Sequence, residues 1–261
     1  MISSLQNPLV KQIRLLHRPK GRRELHLFLI EGTHLLETAC AVDSSILTVC
    51  FTLQWQEQHL QLSEKLVKKA KRVEIVTPEV LEALATTVHP DGVIATVERK
   101  SFSSSPPSTL QLGLMIERIQ DPGNLGTIIR TAAATEVDHI FLSQDSVDLD
   151  NPKVIRSSAG EWFRLPMMVS ENLEELIQNY RVQGVQIIAT LPSATKLHWE
   201  IDYTQPTLIL LGNEGAGLSD TLTALADQTI KIPLGGQVES LNVAIATAVI
   251  LYEALRQKMK V

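Results

Sequence analysis

The sequence predicts an α/β protein in two parts: a small layered α/β/α domain, then a larger domain built on an open, doubly wound parallel sheet. Three observations predict it. Short apolar runs alternate with stretches of helical period along most of the chain. One of these runs, LILL at 208–211, is apolar throughout, as a strand at the centre of a parallel sheet must be. The alternation is broken by SFSSSPPST at 101–109, where Ser and Pro at such density favour an exposed linker over a packed core. The predicted domains are therefore 1–100 and 110–261, with 101–109 as linker.

Each element follows from local pattern. Residues 8–17 place Leu9, Ile13 and Leu16 at helical spacing, with Lys11 and Arg14 between them. The run 27–30 is a buried strand, followed by Gly32 and a helix through Leu35, Leu36 and Ala39. Residues 46–53 are strand-like, 56–69 helical and 73–76 strand-like. Thr77-Pro78-Glu79 opens a helix with Thr as N-cap and Pro at the first helical position. Residues 93–97 close the first domain as a strand. In the second, strands are expected at 110–116, 139–142, 185–189, 208–211 and 230–232, and helices at 124–135 and 173–181. The last helix, 241–258, begins VAIATAVILYEAL from residue 243 and is apolar nearly all round, so most of its faces need covering.

Composition narrows the class. Of 261 residues 44% are hydrophobic but only 4% aromatic, so aliphatic side chains must fill the cores. With 24 Lys and Arg against 29 Asp and Glu, the net charge of −5 does not announce a nucleic-acid binder, and any polyanion contact must come from a local patch. Lys11, Arg14, Arg18, Lys20, Arg22 and Arg23 form such a patch near the start, and Lys65, Lys68, Lys69, Lys71 and Arg72 a second run that also reads as a solvated helix end. Cys40 and Cys50 read as free thiols. The histidines are scattered and no Cys/His spacing suits zinc, so no metal is expected. No run reaches the roughly 18 apolar residues of a membrane span. The N-terminus has no secretory pattern and supports a mitochondrial transit peptide only poorly, so the cytoplasm is the simplest expectation.

Three loops carry the functional signal. They are Glu117-Arg118-Ile119-Gln120-Asp121-Pro122-Gly123-Asn124-Leu125-Gly126, Leu211-Gly212-Asn213-Glu214-Gly215-Ala216-Gly217-Leu218, and Ile232-Pro233-Leu234-Gly235-Gly236-Gln237-Val238-Glu239-Ser240-Leu241-Asn242-Val243-Ala244. Each follows an apolar strand and runs toward a helix. Glycine admits close backbone approach, and helix N-termini offer unpaired N–H groups. One such loop is ordinary turn chemistry; three with Asn and Glu beside the glycines argue for a ligand site at the carboxyl ends of the strands. A phosphate loop of the G-x-x-x-x-G-K-[ST] type and a G-x-G-x-x-G fingerprint are both missing, which weakens a nicotinamide-dependent oxidoreductase.

In order and wording the loops resemble the three signature motifs of the SpoU (TrmH-like) family: N-x-G-x-x-x-R-T-A, then G-N-E-G-x-G-L, then I-P-[apolar]…S-L-N-V-A. The stretch from Asn151 to Gly160 resembles the family's middle segment, and Phe28-Leu29-Ile30-Glu31-Gly32 resembles the RNA substrate-binding domain that many members carry. The resemblance implies an RNA ribose 2′-O-methyltransferase using S-adenosylmethionine, with a trefoil knot in the C-terminal domain and homodimers formed through it. It implies catalytic roles for Arg130, Asn124, Glu214, Ser240 and Asn242, and cofactor contacts from Gly212, Glu214, Ile232, Leu241, Asn242 and Ala244. It also makes phosphate binding a reading of the Lys11–Arg23 patch. Large-subunit rRNA of the 23S type is the expected substrate and tRNA the alternative. A catalytically inactive RNA-binding or assembly factor is the rival, against which all four of Arg130, Asn124, Glu214 and Asn242 stand. Asn124 and Ser240 are also read as possible N-caps of their helices.

Overall fold

The computed structural model describes residues 1–99 and 106–259. Residues 101–105 of the expected linker lie outside the described part. The chain divides into two compact units: Met1–Lys100 with Asp148–Phe163, and Ser101–Val147 with Arg164–Val261. The stretch Asp148–Phe163, expected in the second domain, thus packs with the first.

The first unit holds α1 (Pro8–Leu15), α2 (Pro19–Leu25), β1 (Leu27–Glu31), α3 (Thr33–Ala41), β2 (Ile46–Phe51), α4 (Leu53–Gln58), α5 (Leu60–Lys69), β3 (Arg72–Ile75), α6 (Pro78–Leu84), β4 (Val93–Glu98) and, from the returning stretch, α8 (Pro152–Ser157). Its sheet has the order β1-β4-β2-β3, with β4 antiparallel to both neighbours and β2 parallel to β3. Leu9, Val10 and Ile13 of α1 and Val80, Leu81 and Leu84 of α6 form one core with Leu29, Cys50 and Ile94. The predicted cap of α6 is present, with Thr77 Oγ1 accepting from the Val80 N–H. The helix expected over 56–69 is two helices. His59, at φ −128°, leaves helical geometry between α4 and α5. Both cysteines are free.

Arg22 corrects the expected RNA patch. Its side chain is 1% exposed, with Nε on Asp150 Oδ1 at 3.1 Å, Nη2 on Asp148 Oδ2 at 2.9 Å and Nη1 donating to the Leu16 carbonyl at 3.2 Å. A guanidinium so enclosed has no donor to give a phosphate. Lys11, Arg14, Arg18, Lys20 and Arg23 remain exposed. Asp150, fully buried, also pairs with Arg99. Glu31 of the Phe28–Gly32 run is likewise buried; it accepts the Thr86 and Thr87 N–H groups at 2.9 and 3.2 Å and pairs with Arg156 at 2.9 Å. The rings of Phe28 and Trp162 pack at a tilt of 52° with centroids 4.9 Å apart, so the returning stretch is tied to this unit by charge and by aromatic packing.

The second unit contains β5 (Leu112–Ile116), α7 (Pro122–Ala134), β6 (His139–Ser143), β7 (Met167–Ser170), α9 (Leu173–Val182), β8 (Gln186–Thr190), β9 (Lys196–Leu197), β10 (Thr207–Leu211), α10 (Asp220–Ala224), β11 (Gln228–Lys231) and α11 (Val243–Lys258). Its seven strands run β7-β6-β5-β10-β8-β11-β9, and every pairing is parallel. The apolar run at 208–211 is indeed central, buried along its whole length between β5 and β8. Leu173, Leu176, Ile177 and Tyr180 of α9 and Leu222 of α10 pack on Met115, Phe141, Ile187 and Leu208. α7 and α11 pack on each other. No helix among the described residues is long and apolar enough to cross a membrane.

His139, at the start of β6, is buried with its Nε2 unpartnered, and its ring stacks on Phe141 at 4.5 Å. Burial, against a smaller pull from Asp138, lowers its pKa from 6.5 to about 4. The unfolded chain therefore takes up a proton below about pH 6.5 that the folded chain refuses until about 4. Stability from this group is complete above that window and is lost as pH falls through it, by up to about 1.4 kcal/mol per pH unit. His198, also lowered by burial, acts in the same direction. Urea midpoints measured from pH 7 to pH 5 are expected to fall less steeply in His139→Gln than in the wild type; identical slopes would contradict this.

Candidate active site

The sheet positions the three loops. From β5 the chain passes to β6 and β7 on one side, while β10 lies against β5 on the other, in register from Thr207↔Leu112 to Leu211↔Ile116. The crevice beyond the carboxyl ends of β5 and β10 is thus the switch point of this sheet, where open α/β proteins bind ligands. The first loop leaves β5 and the second leaves β10, joined where the Glu117 N–H donates to the Leu211 carbonyl at 2.9 Å.

A line of side chains joins all three loops. Asn242 Nδ2 donates to Asn124 Oδ1 at 2.9 Å, and Asn124 Nδ2 donates to Glu214 Oε1 at 3.2 Å. The same carboxylate accepts the Gln120 and Asp121 N–H groups, each at 3.4 Å. Four of the expected positions now have definite places. Asn242 is the N-cap of α11, its Oδ1 accepting from the Ala244 and Ile245 N–H groups; Ala244 is buried in the first turn behind it. Asn124 is not a cap. Asp121 caps α7, and Asn124, in the first turn, is left free to bridge Glu214 and Asn242. Ser240 caps nothing either, because α11 starts only at Val243. It lies exposed on the third loop, without a hydrogen bond among the described residues.

Arg130 is not brought to this line. It is exposed on α7 and has no hydrogen bond or ion pair among the described residues. Six residues beyond Asn124, it stands about 9 Å further along the helix and about 120° round it.

The second loop is a tight hairpin, Asn213 and Gly217 exchanging backbone bonds of 3.0 Å. Asn213 fastens it. Its Oδ1 accepts the Gly215 and Ala216 N–H groups, each at 2.9 Å, and its Nδ2 donates to the Arg118 carbonyl at 2.7 Å. Asn213 lay within the G-N-E-G motif yet went unassigned; its place in that motif was the available signal. Gln120, whose Nε2 bonds the Asp145 carbonyl at 2.9 Å, had none. Gly212 is fixed by the same hairpin: a Cβ there would meet the Gly217 carbonyl carbon and the Leu218 nitrogen at 2.1 Å. A larger residue at 212 would break the loop itself, so its effect on a ligand cannot be separated from its effect on folding.

The third loop is open. Beyond a turn at Gly236–Gln237, its backbone from 233 to 241 belongs to no helix or strand, and Leu234, Val238 and Leu241 are exposed beside it. Open backbone flanked by apolar side chains suits a flat heteroaromatic ligand such as adenine. Ile232 starts this loop, half-buried. An open cleft of about 620 Å³ lies beyond β5, β6 and β7; Glu117, Asp145, Glu171 and Glu174 line it. No group of His, Cys, Asp and Glu suited to a metal occurs among the described residues.

Residues 111–252 match the SpoU rRNA Methylase family. The chain belongs to that family. Residues 7–95 match the MRM3-like substrate binding domain. An uncharacterized tRNA/rRNA methyltransferase of Synechocystis sp. is 50% identical over 98% of this chain and 94% of its own length. The 23S rRNA (guanosine(2553)-2'-O)-methyltransferase RlmP of Bacillus subtilis is 34% identical over 96% of this chain and 97% of its own. Among solved structures, an AdoMet-bound rRNA methyltransferase from Sinorhizobium meliloti superposes with a TM-score of 0.88 at 33% identity, covering 99% of this chain and 98% of that one. The SpoU methyltransferase AviRb from Streptomyces viridochromogenes, in complex with AdoMet, gives 0.87 at 29% identity over 98% and 99% of the two chains.

Proposed function

We propose that this SpoU-family chain methylates a ribose 2′-hydroxyl of structured RNA with S-adenosylmethionine as donor, and that 23S-type large-subunit rRNA is the substrate. The observation that carries this reading is the Asn242–Asn124–Glu214 line, which gathers the three motif loops at the switch point beside the open backbone of 233–241. That backbone, with Gly212, Ile232, Leu241, Asn242 and Ala244 around it, is the fitting place for the cofactor's adenine and ribose. S-adenosylmethionine supplies an electrophilic methyl group on a sulfonium. Glu214 would offset that positive charge with its carboxylate and, through Asn124, holds the first loop against the second. The 2′-hydroxyl is a poor nucleophile, and alignment for in-line attack supplies much of the rate. Arg130 orients it by binding an adjacent RNA phosphate, a use that suits a group too basic to take the proton. Ser240 lies exposed on the cofactor loop, within reach of an incoming ribose.

The same reading includes the family's trefoil knot, formed around the second and third loops, a cytoplasmic location, and a homodimer through α11. On α11, Ile245 and Tyr252 are 53% and 54% exposed while Ile250, Leu251 and Ala254 are buried, so a second apolar face awaits a cover. The displacement of Arg130 from the line fits a site that the partner completes. Sedimentation is expected to give a dimer, burying at least about 1,200 Å²; a fully active monomer at micromolar concentration would defeat it.

The deciding experiment is in vitro methylation of rRNA from a strain lacking this protein, with 2′-O-methyl positions mapped afterwards. One new position in large-subunit rRNA is expected. Methylation of tRNA alone would move the substrate, and S-adenosylhomocysteine binding without any transfer would favour the inactive assembly factor.

A further inference from the structure

Five non-glycine residues among those described have positive φ. Four of them end helices. His26 is the C-cap of α2, and Asp43, Glu136 and Ala159 each follow the C-cap of α3, α7 and α8. A left-handed residue is the ordinary stop there. Arg118, at φ 57°, is different: it sits between β5 and the first loop of the site.

Its backbone is fully engaged in that geometry. The N–H donates to Ser143 Oγ at 2.7 Å, and the carbonyl accepts Asn213 Nδ2 at 2.7 Å and Gln120 Nε2 at 3.3 Å. The loop therefore demands a left-handed residue at 118, which glycine or asparagine supplies with less steric conflict than arginine. Strain kept at a site is explained by what the side chain does. The Arg118 side chain does little within the protein. Its Nε is buried without a hydrogen-bond partner, and its Nη2 comes no nearer than 3.6 Å to Glu117 Oε2. That separation is too long for a hydrogen bond. A planar fork of donors is thus held beside the loop that bears Asn124, with donors unused.

Resting on the function proposed above, we infer that Arg118 is a second oxyanion-binding residue of the site. It presents the Nη1 and Nη2 N–H groups, the open end of a side chain 37% exposed, as a fork to a phosphodiester oxygen of the RNA or to the carboxylate of S-adenosylmethionine. Both ligands offer the paired oxygens a guanidinium fork matches.

Arg118→Gly tests this, because it keeps the backbone geometry and removes only the side chain; Arg118→Asn, which also adopts the left-handed region, is the second variant. Both should melt no lower than the wild type. For a phosphate ligand, kcat/KM for RNA falls about tenfold. The slope of log affinity for RNA against log salt then becomes shallower by about one, with S-adenosylhomocysteine affinity unchanged. For the cofactor carboxylate, S-adenosylhomocysteine affinity falls by about the same factor and the salt slope stays. Wild-type kcat/KM, salt slope and S-adenosylhomocysteine affinity in both variants would overturn the assignment. A wild-type protein that transfers no methyl group would fail the proposed function instead, since the two binding measurements still report on Arg118.

Discussion

Arg130→Ala is expected to lose methyl transfer by about 10²–10³-fold, the usual effect of removing one aligned charge-stabilising donor. Its affinity for S-adenosylhomocysteine and its melting temperature should stay near those of the wild type. The structure separates these readouts. Arg130 is exposed on α7 and bonds nothing among the described residues. Its truncation therefore leaves no buried group unpaired, and surface changes of that kind stay within about 0.5 kcal/mol. Arg130→Lys should fail almost as badly, because an ammonium cannot reproduce the planar fork. The position of Arg130, away from Asn124 on the same helix and from Glu214 on the second loop, adds a sharper expectation. If each site takes Arg130 from one subunit and the Asn124–Glu214 line from the other, mixing Arg130→Ala with Glu214→Ala protein restores activity to about a quarter of wild type, since half the dimers then hold one intact site. Arg130→Ala turnover near the wild-type rate would remove the residue from the mechanism. Inactive mixtures that form heterodimers would place Arg130 in its own subunit's site.

Sequence pattern reached far in this protein because its second unit is a parallel sheet. Strands buried on both faces must be apolar runs, and 208–211 declared its central place by composition alone. The loops were legible as three glycine-bearing segments after strands. What joins them was not, since the Asn242–Asn124–Glu214 line spans up to 118 positions in sequence. The cap at Thr77-Pro78 was legible, but Asp121, not Asn124, caps α7 although Pro122 marks it, and Asn242, not Ser240, caps α11. Short elements without strong period went unread, among them α2, β7 and α10. Arg22 departs furthest from its sequence context. In sequence it is one cation in a basic run; only the fold reveals two aspartates 126 and 128 positions away closing around it. A charge run does not announce which of its members is interior.

That burial sets the second large effect. Asp150→Ala should destabilise the first unit by about 3–5 kcal/mol, the range for removing one partner of a buried ion pair. Asp150 is fully buried, with one oxygen on Arg22 Nε and the other on Arg99 Nε. Arg22 is itself 1% exposed, so truncating Asp150 leaves a charged group inside that can neither reach water nor turn to another acceptor. Asp148, at 2.9 Å from Nη2, and the Leu16 carbonyl still hold the far side of the guanidinium, which sets the cost below that of an isolated buried charge. The effect is a large share of the roughly 5–15 kcal/mol that keeps a domain folded. Urea unfolding followed by tryptophan fluorescence suits the measurement, because Trp55 and Trp162 both lie in this unit. The double variant Arg22→Met with Asp150→Leu is expected to lose less than the sum of the two singles, since it strands no fully buried charge and leaves only the part-exposed Arg99 and Asp148 to be resolvated. RNA binding supplies the independent check. Substituting exposed Lys11, Arg14 or Arg18 should flatten the salt dependence of RNA affinity by about one unit of slope each where a phosphate is contacted. Folded Arg22→Met/Asp150→Leu protein should keep the wild-type slope, because Arg22 spends its donors inside the protein. A loss of less than about 0.5 kcal/mol in Asp150→Ala would place it with ordinary surface changes and refute the buried cluster.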